Sequence, residues 1–317
     1  MAQDGFANKI KIKFRLKPIA PFRLDLTVWA IRRRPHNTID LFDGETYRRV
    51  LVIDGKPTAV SVRQIAPPNH PEIEVTARGQ GASEASKSTI AAALTRILGL
   101  DIDLSKFYWL AREDAKLGPL ANRLMGMKPV RFPTNFEAFT NAVACQLVSL
   151  TAGLHVVNRI SQKYGRACEA DGIEMHACAE DEDIARAEVE DLRALGLSRN
   201  KARYLIGLAT LAGDSESRDF TAIESLDDVA AAAALSEYSG VGRWTAEYVM
   251  LRGFGRLNFF PGGDVGGRNG LREWLGIRRE IDFDAVDKLM RRWHPWGGFI
   301  YFHLIVNALV EKGIARA

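Results

Sequence analysis

Residues 235–264 read LSEYSGVGRWTAEYVMLRGFGRLNFFPGGD, and this stretch decides how the rest of the chain is interpreted. Gly240-Val241-Gly242 interrupts two amphipathic runs, at 226–234 and 245–254, and so marks a tight turn between helices. Glycine tolerates positive φ and lets a second backbone approach closely. The amides opening the second helix, near 242–245, have no intrahelical acceptor and lie at the positive end of the helix dipole, an arrangement suited to a phosphate. Such a turn holds a nucleic-acid backbone without reading its bases. The same tripeptide also occurs at plain helix corners, so GVG alone leaves that reading open. Asp264, after Pro261-Gly262-Gly263, stands where a helix N-cap is expected.

On either side of this stretch, apolar residues recur with helical period over 135–164, 188–195, 201–212, 226–234, 245–254, 283–292 and 296–311, so the chain beyond about residue 104 is expected to be all-helical. Before it, alternation at 9–16, 24–31 and 58–62 predicts strands. Asp43-Gly44 and Asp54-Gly55 bracket a further strand over 47–53 as hairpin turns, and 86–98 predicts a helix closing this first part. Gly118-Pro119 and the stretch from Lys128-Pro129 to Pro133 mark the joints. The expected class is α+β, with a small antiparallel sheet and its helices at the N-terminus followed by an all-helical part.

Composition limits the function classes. The chain has 317 residues, enough for two or three cores, and a formal charge of only +4. That charge is uneven: residues 1–50 carry eleven Lys or Arg against five acids, which permits a basic face. The three cysteines, Cys145, Cys168 and Cys178, lack CxxC spacing, so no disulfide framework, metal site or iron-sulfur cluster is expected, and a reducing compartment is. The basic, alternating N-terminus lacks the apolar run of a signal peptide. Nowhere do eighteen apolar residues run uninterrupted, so no membrane span is expected.

The segments, in their order, resemble the helix-hairpin-helix (HhH-GPD) DNA glycosylases of the 3-methyladenine DNA glycosylase II type. Ser239 to Arg252, then Phe259-Phe260-Pro261 and Asp264, resemble the hairpin and the catalytic aspartate that follows it. Residues 136–164, containing Ala144-Cys145-Gln146-Leu147-Val148-Ser149, resemble the helix and wedge region. Gly196-Leu197-Ser198 with Lys201-Ala202 resemble the helix pair ahead of the hairpin, and Arg292-Trp293-His294-Pro295-Trp296 the start of the last helix. The resemblance implies a TATA-binding-protein-like half at 1–104, one helical domain at 131–255 carrying the hairpin, and a second formed by 105–130 with 256–317 carrying the catalytic Asp. It further implies a monomer in the bacterial cytoplasm or nucleoid that acts on double-stranded DNA containing damaged bases, without cofactor, removing alkylated bases of the 3-methyladenine and 7-methylguanine class in base excision repair.

The resemblance also assigns roles. Asp264 is the catalytic carboxylate, which opposes the positive charge developing on the deoxyribose and orients water. Trp244, Tyr248 and Trp296 line the base pocket, where aromatic faces attract cationic alkylpurines. Leu147 fills the gap left by the flipped nucleotide, and Gln146, Gly240, Gly242, Arg243 and Thr245 join it at the DNA. Lyase-active relatives carry a Schiff-base lysine where this chain has Trp244, so hydrolysis without strand cleavage is expected. By pattern alone each of these aromatics, and Leu147, is more readily a core residue. Two alternatives remain: a glycosylase for another lesion, such as hypoxanthine or uracil, and a damage-binding protein that would need no acid at 264. Gly263 and Val265 stand where some relatives place an acid and an aromatic, so the pocket's shape is this chain's own.

Overall fold

The computed structural model describes residues 11–213 and 220–317. The N-terminal part runs β1 (Lys11–Leu16), α1 (Leu24–Arg32), β2 (Leu41–Phe42), β3 (Thr46–Ile53), β4 (Lys56–Gln64), β5 (Ile73–Gly79) and α2 (Lys87–Leu98). After it come α3 (Ser105–Arg112), α4 (Leu117–Arg123), α5 (Asn135–Cys145), α6 (Leu150–Tyr164), β6 (Ala167–Ala170) and β7 (Ile173–His176). The remainder is α7 (Asp181–Ala185), α8 (Val189–Ala194), α9 (Arg199–Gly213), α10 (Phe220–Glu224), α11 (Asp228–Ser236), α12 (Arg243–Arg252), α13 (Val265–Leu275), α14 (Phe283–Met290) and α15 (Gly297–Glu311). Lys9 and Ile10, the first residues of the expected opening strand, lie outside the described residues.

The five N-terminal strands form one antiparallel sheet in the order β1-β5-β4-β3-β2. In β5 the pattern is strict: Ile73, Val75 and Ala77 are buried and Glu74, Thr76 and Arg78 half-buried, the period of two that a one-faced sheet requires. Asp54-Gly55 makes the β3–β4 turn, both residues at positive φ, as the Asp-Gly signal predicts.

Two elements correct the sequence expectation. Residues 24–31, read as a strand, form α1. Nearly every side chain of this helix is buried, from Leu24 and Leu26 to Ile31 and Arg32, because it lies within the core and touches both α2 and α15. A helix buried on all sides shows no 3.6-residue contrast, and its chance alternation imitates a strand. The expected all-helical part also contains the β6–β7 hairpin, turned by Asp171-Gly172 at φ 55° and 77°. Its Ala170 and Met175 pack on Val50 and Ala59 of the large sheet. Four-residue strands are too short to show a period, but the Asp-Gly pair was a legible signal.

Sheet and helices share a continuous apolar core that includes Val62, Ile31, Phe132, Phe139, Leu251 and Phe299. A buried ionic cluster adds to it: Arg49 of β3 donates to Asp40 at 2.8 Å and is ion-paired with Glu137 of α5, and the Tyr47 hydroxyl donates to Asp40 at 2.8 Å. Burial pushes the Glu137 carboxyl up and Arg49 opposes that shift. Deleting one partner would strand a buried charge, a loss of about 3–5 kcal/mol. The cluster thereby fixes the sheet to the helix that leads to the site.

Candidate active site and hairpin

The turn between α11 and α12 forms as the glycines suggest, but each glycine acts differently. Gly240 has φ 81°, and a Cβ there would strike the Tyr204 ring, so both conformation and space demand glycine. Gly242 has φ −84° and ψ 177°, open to any residue. A Cβ on it would meet nothing within 4 Å. It is the N-cap of α12 and, as a glycine, supplies no side-chain cap; among the described residues no side chain is bonded to the first amides. The protein leaves those amides and the space before them open.

The neighbouring residues named from the sequence mostly brace this turn. Gln146 Nε2 donates to the Gly240 carbonyl at 2.8 Å and to Thr245 Oγ1 at 3.0 Å. Thr245 is buried. Arg243 donates to Glu247 at 2.8 Å and Asp287 at 2.6 Å and lies over the Phe283 ring, so its guanidinium is already engaged although the side chain is half-exposed. Lys201 of α9 donates to the Gln146 carbonyl at 2.6 Å and to that of Ala144 at 3.3 Å. These bonds anchor the α5–α6 connection immediately ahead of Leu147, which is fully exposed at φ 54°. A β-carbon-bearing apolar side chain held at positive φ in open solvent has no folding purpose, since the conformation costs roughly 1 kcal/mol and the exposure recovers nothing.

Asp264 follows a loop packed against Trp244 at the start of α12. It is the N-cap of α13, its Oδ1 accepting from the Gly267 amide at 2.5 Å, and it is half-buried. Glu247 accepts from the Gly262 amide at 3.1 Å and so ties the loop before Asp264 to α12. Gly263 permits a close approach: a Cβ there would lie 2.5 Å from the Phe283 ring and 2.8 Å from Cβ of Trp244. The Trp244 and Tyr248 rings are 5.5 Å apart, one turn of α12. Tyr301 of α15 packs at Gly267, and burial and the nearby Asp264 together push its phenol well above the usual range. The Trp244 Nε1 is buried and has no hydrogen-bond partner among the described residues.

Trp296 is placed apart from this group. Its ring meets Phe107 of α3 edge-on, on the face of α15 that also carries Phe299 and His303. Tyr301 points about 160° away from that face by helical geometry.

Three arginines near the site were not legible as site residues. Arg33, just past the end of α1, is buried, and donates to the Tyr248 hydroxyl at 2.8 Å and to Asn141 Oδ1 at 2.6 Å. Arg252 is buried against the rings of Tyr248, Phe132 and Phe302 and donates to the Ala30 carbonyl. Arg34 is half-buried; burial and Arg33 lower its pKa and Asp264 opposes them. The only sequence signal was the run Arg32-Arg33-Arg34 after an apolar stretch. The arrangement is a half-buried carboxylate and an aromatic pair on a cationic bed, beside an open helix N-terminus and a projecting leucine.

Residues 141–295 match the family profile of HhH-GPD superfamily base excision DNA repair proteins. This region of the chain belongs to that superfamily. It is 28% identical over 206 residues to the DNA-3-methyladenine glycosylase of Bacillus subtilis, covering 65% of this chain and 67% of that protein. It is 28% identical over 201 residues to DNA-3-methyladenine glycosylase 2 of Escherichia coli, covering 59% and 63%. The matched regions thus span about two thirds of the length of these relatives. Among solved structures, the 3-methyladenine DNA-glycosylase from Archaeoglobus fulgidus superimposes with a TM-score of 0.81 at 24% identity, covering 96% of this chain and 100% of that one. That likeness extends the shared fold to the N-terminal sheet. Among the described residues of the chain, no helix is long and apolar enough to cross a membrane.

Proposed function

We propose that the chain is a monofunctional DNA glycosylase that flips alkylated bases of the 3-methyladenine and 7-methylguanine class out of duplex DNA and removes them by hydrolysis in base excision repair. The observation that carries the reading is Asp264 held at the N-cap of α13 beside the Trp244–Tyr248 pair, next to a helix N-terminus that no side chain among the described residues caps. The names of the relatives support it.

In this reading the amides at Gly242 and just beyond take a backbone phosphate, aided by the α12 dipole. Leu147 enters the stack in place of the extruded nucleotide, with Gln146 and Lys201 holding it there. Arg243 and Thr245 support the hairpin from behind. The extruded base lies against Trp244, whose ring attracts the positive charge of an N3- or N7-alkylated purine. As the bond between C1′ and the base nitrogen breaks, its electron pair leaves with the base and the sugar becomes oxocarbenium-like. The Asp264 carboxylate opposes that charge and accepts a proton from the water that adds to C1′. Indole at position 244 offers no amine for a Schiff base, so the product is an intact strand bearing an abasic site.

The same proposal includes the three-part domain division given above, a monomer, and work on DNA in the bacterial cytoplasm or nucleoid. The test is a panel of duplexes each bearing one modified base, scored for abasic sites. Excision of the alkylated purines is expected. No excision across the panel, with damaged-DNA binding intact, would favour a damage-binding protein instead.

A further inference from the structure

Resting on the reading of the site as a base pocket, we propose that Arg33 sets its charge preference, shifting selection from cationic bases toward neutral bases that present a lone pair. Two observations carry this. The first concerns hydrogen-bond donors. The Tyr248 oxygen accepts from Arg33 at 2.8 Å, so its own hydrogen is directed elsewhere, and among the described residues no acceptor meets it. On the adjoining ring, Trp244 Nε1 is buried and also unpartnered. Buried donors without acceptors are costly, and a ligand that supplies lone pairs removes the cost. Quaternised nitrogens have no lone pair to offer.

The second observation concerns charge. Arg33 is inside the protein, and its second nitrogen is fixed on Asn141, a neutral acceptor that leaves the charge uncompensated. Arg252 lies on the Tyr248 ring at 5.5 Å and donates to a carbonyl, again a neutral partner. Tyr248 thus has its hydroxyl and one ring environment already engaged by guanidiniums, leaving Trp244 as the aromatic surface for a cation. Arg34 adds a third positive charge, and Asp264 is the carboxylate that faces this group. The nearby Asp40 is paired with Arg49. A cationic base entering here meets attraction from Trp244 and Asp264 and repulsion from beneath Tyr248, whereas a neutral one meets only donors.

The arrangement is asymmetric in a way that makes Arg33 separable. Arg252 is fixed under three rings and Asp264 belongs to the reaction itself, but Arg33 reaches the pocket from the end of α1 through a single side chain. Its removal changes the charge and the Tyr248 orientation and leaves the carboxylate in place.

The experiment compares kcat/KM for 7-methylguanine, cationic in DNA, with that for hypoxanthine, neutral, in otherwise identical duplexes. The proteins are the wild type, Arg33→Met and Arg33→Lys, and the ratio of the two substrates cancels any loss of folded protein. Arg33→Met should raise the 7-methylguanine to hypoxanthine ratio at least about tenfold, the scale for deleting one nearby charge at an effective dielectric of ~20. Arg33→Lys keeps the charge and should stay within about threefold of wild type. An unchanged ratio in Arg33→Met, equal shifts in both variants, or a wild type that removes 7-methylguanine and leaves hypoxanthine untouched would overturn the proposal. A wild type that removes neither base would overturn the glycosylase reading beneath it.

Discussion

Replacing Asp264 by Asn isolates charge from structure. The Asp264 Oδ1 accepts from the Gly267 amide at 2.5 Å as the N-cap of α13, and an Asn side-chain oxygen accepts in the same place. Asn and Asp are near-equal N-caps, so the folding cost is the lost attraction of the carboxylate to the helix dipole, about 0.3–1 kcal/mol. For a chain of this size that lowers Tm by under about 3 °C. The reaction suffers far more. A carboxylate about 4 Å from a developing unit charge contributes about 4 kcal/mol at an effective dielectric of ~20, so the single-turnover excision rate should fall about a thousandfold. Binding to duplex bearing a neutral lesion should hold or improve, because that ground state carries no cation for the carboxylate to oppose. Asp264→Ala gives a control, since it loses the cap as well and should unfold earlier by about 1 kcal/mol more. Rates are read as abasic-site formation under enzyme excess, with Tm by calorimetry and affinity by fluorescence anisotropy. An Asp264→Asn protein within tenfold of the wild-type rate at unchanged Tm would refute the electrostatic role.

Trp244→Ala removes the aromatic surface, and excision should fall more for 7-methylguanine than for hypoxanthine, with no borohydride-trapped adduct in the variant or the wild type; a trapped wild-type adduct would refute hydrolysis without lyase action. At the hairpin, Gly240→Ala places a Cβ into Tyr204 at φ 81° and should cost about 1–3 kcal/mol of stability in urea titrations. Gly242→Leu, entering open space, should leave stability within about 0.5 kcal/mol but weaken binding to every undamaged duplex alike, and a change in sequence preference instead would exclude phosphate contact. His303, fully buried with Nδ1 against the Phe299 carbonyl, has its pKa lowered to about 4 by burial. Because the unfolded chain binds this proton more tightly, stability should fall as pH drops from about 6.5 to about 4, by up to about 3 kcal/mol. His303→Gln should flatten that stretch of the pH–stability curve; an identical slope would assign it to other groups.

Much of the site lay in local sequence because its parts are local structures. A glycine turn between two amphipathic runs, an Asp after Pro261-Gly262-Gly263, and two aromatics four residues apart each need only a few neighbouring residues to form, so residues 235–264 announced the hairpin, the cap and the ring pair together. The same holds for β5 and the Asp54-Gly55 turn, where one face is buried and the other is not. Helix α1 was illegible for the opposite reason: with almost every side chain buried, it presents no contrast for a period to show. Arg33 meets Tyr248 across 215 residues of chain, and no spacing rule reaches that far. Nor could residue type tell that Arg243 is held by Glu247 and Asp287, or that Trp296 rests on Phe107 and not beside Trp244. Sequence by itself determined most of the elements, α1 and the β6–β7 hairpin excepted, and which side chains can do chemistry. Tertiary packing decided which of those side chains remain free to do it, because a guanidinium or an indole keeps its reactivity only where the fold leaves it without a partner.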